Sequence, residues 1–150
     1  MIETRLTFEG RPFLIEAYDS ETDVVIGEYF LNKTFDCDLL VHTRFEGNIH
    51  TTENGELGLG IGSALLDKAV QVLEDYATRK NRRVTHDVVF KDCAPTYLPA
   101  MFERRGYARH SKKLYSLSFQ PRPKEPPFSH LEEQVKEKFR NVKNKIPFVN

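Results

Sequence analysis

The sequence has no tryptophan, only two cysteines and a formal net charge of zero. Cys37 and Cys93 are far apart and lack a metal-ligand spacing, so we expect free thiols in a reducing cytoplasm and no metal site. The balance of 22 basic and 22 acidic residues disfavours a dominant role in binding nucleic acid or an anionic membrane. No apolar run approaches the length of a membrane span, and the first residues lack the apolar region of a signal peptide. These absences predict a cytoplasmic protein that does not enter a membrane.

Short alternating segments separated by turn residues fill the first third of the sequence. An antiparallel meander explains this pattern best, and no helical period interrupts it. A turn is expected at residues 46–48, within Glu46-Gly47-Asn48. The predicted strands are Thr4–Glu9, Phe13–Tyr18, Val24–Leu31, Asp38–Phe45 and Ile49–Thr52.

Three alternating glycines, Gly58, Gly60 and Gly62, are followed at once by a helical repeat. Apolar residues recurring every four positions predict an amphipathic helix from Ile61 to about Lys80. A glycine-rich turn at a helix N-terminus exposes backbone N–H groups and the positive end of the helix dipole, which commonly bind phosphate. The spacing fits neither a P-loop nor a Rossmann fingerprint. A tight strand-to-helix turn without a ligand is the alternative interpretation.

The second half of the sequence alternates further strands and helices. The β-branched segment Val84–Phe90 predicts a strand parallel to Ile49–Thr52, reached by a right-handed crossover. A short helix is expected from Thr96 to Arg105, with Gly106 just beyond its end. The last predicted unit of this domain is a hairpin made of residues 107–110 and 113–119.

The last thirty residues differ in composition from the rest. Four prolines between Pro121 and Pro127 mark a stiff linker, and apolar residues at helical spacing follow between charged ones. The sequence therefore predicts a domain at residues 1–120, and a linker with a C-terminal amphipathic helix at 121–150. Packing against the sheet is the favoured role of this helix, and contact with a partner subunit in a homodimer is the alternative.

Two segments carry a resemblance to a known family. The run Leu57 to Leu66 resembles the acyl-CoA-binding motif of the GNAT superfamily of N-acyltransferases, which reads Arg/Gln-x-x-Gly-x-Gly/Ala, with Leu57 at the Arg/Gln position. The segment Met101–Tyr107 resembles the Leu-Tyr-Glu-x-x-Gly-Phe that closes the last helix of these domains, with Phe102 in place of Tyr. The resemblance covers roughly residues 49–119. It implies an α+β fold with a mixed, mostly antiparallel sheet, a central helix after the glycine turn, a short second helix and an extra C-terminal helix.

The resemblance also implies a reaction, in which an acyl group passes from acetyl-CoA or another acyl-CoA to a small-molecule or protein amine. Pantetheine would lie between the strands 49–52 and 84–90, which splay apart. Backbone N–H groups would hold the pyrophosphate, and one on strand 49–52 would polarise the thioester carbonyl. The implied CoA-binding residues are Thr51, Leu57, Gly58, Leu59, Gly60, Ile61, Gly62, Ser63 and Phe102.

Proton transfer requires side chains, and here the sequence offers only candidates. Glu46 and His50 lie near the end of the splayed strand and are candidate general bases, as is Glu53. Phenylalanine cannot donate a proton, so Tyr97, Tyr107 or water is a candidate acid in place of the family's tyrosine. Mid-strand His86 is expected to have a structural role.

Three interpretations of function remain open at this stage. The first is an active amine acyltransferase. The second is a GNAT-like domain that binds acyl-CoA, or has lost it, and acts as a regulator or interaction module. Leu57, Phe102 and the missing early helices of the family favour this second interpretation. The third is an unrelated α+β interaction module whose glycine turn is only structural.

Overall fold

The computed structural model describes residues 1–51, 60–91 and 97–122 of the chain. They form one seven-stranded sheet, in the order β1-β2-β3-β4-β5-β7-β6, and two helices. The strands are β1 (Ile2–Phe8), β2 (Phe13–Asp19), β3 (Val25–Cys37), β4 (His42–Thr51), β5 (Arg83–Val89), β6 (Ala108–Arg109) and β7 (Leu114–Phe119), and the helices are α1 (Ile61–Lys80) and α2 (Tyr97–Glu103).

The sheet is antiparallel except at one seam. Strands β1 to β4 form a meander of antiparallel neighbours. Strand β5 lies parallel to β4, and the connection between them contains α1. Strands β5, β7 and β6 are again antiparallel. This is the mixed, mostly antiparallel α+β sheet that the sequence predicted, with the central helix and the short second helix in their expected places.

One predicted break in the chain is wrong. The expected turn at residues 46–48 and the described part, 49–51, of the expected separate strand Ile49–Thr52 both belong to the single strand β4. The glycine at position 47 serves close packing, because a Cβ there would collide with the Tyr29 hydroxyl and the His86 ring. The real turn lies at residues 38–41, so the predicted strand Asp38–Phe45 began too early.

The main core lies between α1 and one face of the meander. Leu65, Ala69 and Leu73 of the helix are fully buried against apolar side chains of β2, β3 and β4. Because these helical positions are four apart, they share one stripe of the helix surface. The helix ends at Lys80 and is capped by Asn81, whose left-handed backbone (φ 52°) lets its N–H bond the helix's last carbonyls. The core members from the sheet include Phe13, Ile15, Ala17, Tyr29, Leu31 and Phe45.

A second core cluster surrounds α2. Met101 and Phe102 of this helix are buried. The helix ends before the predicted Arg105, and Gly106 follows with φ +90°, as its predicted place beyond the helix end requires. The N–H groups of Gly106 and Tyr107 bond helix carbonyls at 3.0 and 3.2 Å. The cluster consists of Leu66, Val88, Phe90, Met101, Phe102, Tyr107 and Tyr115.

The sheet face opposite α1 is polar. Glu16, Glu28 and His50 are aligned across β2, β3 and β4 on this face. A two-bond ion pair between Arg44 and Asp87, at 2.9 and 2.8 Å, fastens β4 to β5 there. Residues 1–51 contain strands and turns without a helix, as expected. Within the described part of the chain, no helix is long and apolar enough to cross a membrane. The predicted C-terminal helix and its predicted homodimer contact lie outside the described residues.

Candidate functional site

The parallel seam between β4 and β5 opens into a cleft. Their pairing ends at Gly47 and Val88, whereas β4 continues to Thr51 in register with β3. The two strands therefore splay apart, and a cleft of about 270 Å³ lies between them. Its lining consists of Tyr29, Gly47, Asn48, Ile49, His50, Val88, Val89, Phe90, Lys91, Leu98 and Phe102.

The cleft combines an apolar wall with free backbone groups. Phe90 and Phe102 meet edge to face, with ring centroids 5.3 Å apart, beside Val88 and Leu98. On the other side, residues 48–51 of β4 have no neighbouring strand toward β5 among the described residues. Backbone N–H and C=O groups without such a neighbour seek a hydrogen-bond partner. The cleft thus suits a narrow ligand with apolar parts and amide groups.

The N-terminus of α1 adjoins this cleft. An ideal Cβ on Gly62 would lie 3.5 Å from the Ile49 side chain, which is part of the cleft wall. Gly60 precedes the helix with φ +77°, and a Cβ there would meet no described atom within 4 Å. The first helical N–H groups have no partner within the helix and carry the positive end of its dipole. An anionic group could therefore reach them without meeting a described side chain.

The structure brings some of the predicted residues together. His50 is exposed and lines the cleft, and Phe102 lines it from α2. Ile61 is buried, so only its backbone is available to a ligand, and the Ser63 hydroxyl donates to the Met101 sulfur at 3.4 Å. Thr51 belongs to β4, the strand that forms one side of the cleft.

Other predicted residues lie apart from the cleft lining. Glu46 is half-buried and opposite Asp87 in the β4–β5 register, and Tyr97 is half-exposed at the start of α2. Neither is among the residues that line the cleft. Leu57, Gly58, Leu59 and Glu53 lie outside the described residues.

A buried polar chain, which sequence reasoning missed as a unit, adjoins the apex of the cleft. The Tyr29 hydroxyl lies 2.7 Å from His86 Nε2, and the Tyr107 hydroxyl bonds His86 Nδ1. All three side chains are buried, with exposures of 1%, 0% and 4% for Tyr29, His86 and Tyr107. Two features of the sequence indicate such a chain: a glycine, Gly47, inside a strand pattern, and a histidine, His86, inside an apolar strand.

Burial holds the members of this chain in their neutral forms. It lowers the pKa of His86 to about 3 and raises the pKa of Tyr29 well above its ordinary value. Burial likewise raises the pKa of Tyr107. At neutral pH the imidazole is therefore uncharged, with one nitrogen donating and the other accepting. Among the described residues, no group of three His, Cys, Asp or Glu side chains is arranged to hold a metal ion.

No protein-family model matches the chain, and no curated protein sequence matches it either. Solved structures do match. The ribosomal-protein-S18-alanine N-acetyltransferase from Escherichia coli has 12% identity and a TM-score of 0.50, over 79% of this chain and 75% of its own. NAA60 of Arabidopsis thaliana, in complex with a bisubstrate analogue, has 12% identity and a TM-score of 0.50, over 76% and 78%.

A third match is the ribosomal-protein-S5-alanine acetyltransferase from Vibrio fischeri, with 9% identity and a TM-score of 0.51, over 77% of this chain and 65% of its own. At such low identity these matches show a shared arrangement of strands and helices.

Proposed function

From the premise that this chain has the GNAT fold, we propose that it transfers an acyl group from acyl-CoA, acetyl-CoA above all, to an amine. The acceptor is a small-molecule or protein amine, the reaction uses no metal, and the protein acts in the cytoplasm. The observation that carries the proposal is the cleft between β4 and β5, which adjoins the N-terminus of α1. A pantetheine arm has the shape and the amide groups that suit the cleft, and a pyrophosphate suits the helix N-terminus.

The cleft supports a direct transfer. The amine nitrogen attacks the thioester carbonyl carbon, the carbonyl oxygen becomes an oxyanion, and the C–S bond then breaks. The proton that the nitrogen loses balances the proton that the CoA thiolate gains. Exposed His50 lies on the cleft lining, where its imidazole is suited to take the proton from the attacking amine.

One observation favours a second candidate function, which is a CoA-binding regulator without catalysis. Phe102 lines the cleft at the position of the family's tyrosine and has no hydroxyl. A CoA thiol has a pKa near the cysteine reference of about 8.5, so its thiolate leaves without an obligatory acid. For this reason we favour the enzyme.

The proposal is tested by calorimetry with CoA and acetyl-CoA on Gly60→Ala and its matched control Gly106→Ala. Both glycines have positive φ, so both variants carry a similar backbone strain of about 1–2 kcal/mol. At residue 60 the added Cβ would enter the open space before α1, whereas residue 106 lies beyond the end of α2. We expect Gly60→Ala to lose at least tenfold in affinity, or about 1.4 kcal/mol, and Gly106→Ala to bind as the wild type does.

A broad amine panel with mass-spectrometric detection of the acylated product then separates the two functions. Transfer to any amine supports the acyltransferase. Binding of CoA without transfer to any amine overturns it in favour of the regulator. No binding by the wild type, or equal binding by both glycine variants, overturns the proposed CoA site.

A further inference from the structure

The hydroxyl of Tyr29 lies at the apex of the cleft, where β4 and β5 separate. It occupies the space that a Cβ on Gly47 would fill, and Gly47 is the last residue of β4 that pairs with β5. Both residues belong to the cleft lining. A ligand that fills the cleft to its apex therefore meets this hydroxyl.

The hydrogen-bond inventory decides which way the Tyr29 proton points. A neutral imidazole donates from one nitrogen only. If His86 donated from Nδ1, the buried Tyr107 hydroxyl would accept that bond and keep its own proton without an acceptor among the described residues. Such an unpaired buried donor costs about 1–3 kcal/mol.

In the other tautomer the donor without a protein partner among the described residues is the hydroxyl of Tyr29, which belongs to the cleft lining, whereas Tyr107 does not. Tyr107 donates to Nδ1, and Nε2–H donates to the oxygen of Tyr29. The Tyr29 proton is then free of His86, and a ligand in the cleft can accept it. A ligand in the cleft therefore favours the Nε2–H tautomer, in which Tyr29 donates into the cleft.

We propose that the Tyr29 hydroxyl donates a hydrogen bond to the thioester carbonyl oxygen during acyl transfer, and that His86 and Tyr107 are positioning residues that orient it. This inference rests on the proposed acyltransferase function. Tyr29 keeps its proton throughout: the carbonyl oxygen gains negative charge as the amine attacks, and loses it as the C–S bond breaks. Burial raises the pKa of the phenol, which keeps it a donor rather than a phenolate. A donor aimed at an oxyanion in a dry site stabilises the transition state more than the ground state.

The first test needs no activity. Ring ¹⁵N NMR of the full-length protein near pH 7, with His86→Gln used for assignment, reports which nitrogen of His86 carries the proton. A neutral Nε2–H form supports the proposal. A neutral Nδ1–H form, or a protonated ring, overturns it.

The second test is steady-state kinetics with acetyl-CoA and an amine accepted in the panel above. Tyr29→Phe should lower kcat on the order of 100-fold, the effect of removing one oxyanion donor, with little change in KM for acetyl-CoA. Tyr18→Phe is the matched control, because the Tyr18 hydroxyl bonds exposed Glu3 at 2.9 Å, away from the cleft lining. It should retain wild-type kcat.

A double-variant cycle distinguishes positioning from general destabilisation. Tyr107→Phe should lower kcat less than Tyr29→Phe does, and the double variant should be no slower than Tyr29→Phe alone, because Tyr107 acts through Tyr29. Additive losses, or wild-type kcat in Tyr29→Phe, overturn the proposal while leaving the acyltransferase intact. An absence of CoA binding in the wild type overturns the proposed function instead. The NMR experiment then still tests the tautomer of His86, because it needs neither CoA nor activity.

Discussion

Acidification should destabilise the fold through a single buried imidazole. The pKa of His86 is about 3 in the folded chain, against 6.5 for an unperturbed histidine, because burial disfavours the charged ring. The unfolded chain therefore takes up this proton first as the pH falls. The contribution of a neutral His86 is fully present above pH 6.5 and is lost progressively between pH 6.5 and pH 3.

The size of the loss follows from proton linkage. Within the window between the two pKa values, each pH unit removes about 1.4 kcal/mol of unfolding free energy. Of the interval between pH 7 and pH 5, about 1.5 pH units lie below the pKa of histidine in the unfolded chain. Protonation of His86 alone should therefore lower the unfolding free energy by about 2 kcal/mol over this interval. A second histidine, His42, has its pKa lowered by burial and by the Arg83 charge, and acts in the same direction.

Urea denaturation at several pH values between 7 and 5 measures this slope. We expect the slope to shrink in His86→Gln and to keep most of its size in the control His42→Gln. Because removal of a buried histidine can impair folding, an NMR titration of the His86 ring in the wild type supplies an independent measurement. Equal slopes in the wild type and a folded His86→Gln variant, or a ring that titrates near pH 6.5, would refute the reasoning.

Two further substitutions test local features. Val41 has φ +48° in the β3–β4 turn and is half-exposed, so Val41→Gly should stabilise the fold by about 1 kcal/mol in urea denaturation. The control Val24→Gly changes an exposed residue without positive φ and should not stabilise the fold. A loss of stability in Val41→Gly would contradict the strain argument. Phe102→Tyr should raise turnover by tenfold at most, about 1.4 kcal/mol of barrier, because it restores a hydroxyl on the cleft lining. A fall in its kcat would contradict this prediction.

The sequence predicted the elements whose evidence is local. The helix α1 follows from an apolar residue every fourth position, and its bounds match the structure because Gly60 and Asn81 mark its ends chemically. Gly106 similarly marked the end of α2. Gly47 shows where local evidence misleads, since a glycine beside Glu46 and Asn48 has the composition of a turn. Its actual reason is the packing of Tyr29 and His86, which come from other strands.

The candidate site was predicted unevenly for the same reason. The splay between β4 and β5 followed from the order of strand, glycine turn, helix and strand, together with the family resemblance. His50 was identified because its strand forms one side of the cleft. Tyr29 escaped notice because it lies on β3, and only the three-dimensional register places it opposite Ile49. The roles assigned to Glu46, His50 and Tyr97 stay predictions until variants are measured.

The order of strands also determines when the cleft can form during folding. Strands β1 to β4 are joined by short turns, so each pairing closes a small loop. Strand β5 reaches β4 only after the whole of α1 has intervened, which makes this pairing non-local and entropically costly to close. The cleft lies at this long-range seam. A nascent chain that has formed only its N-terminal meander therefore has no place for a ligand, and ligand binding would mark the completion of the slowest pairing.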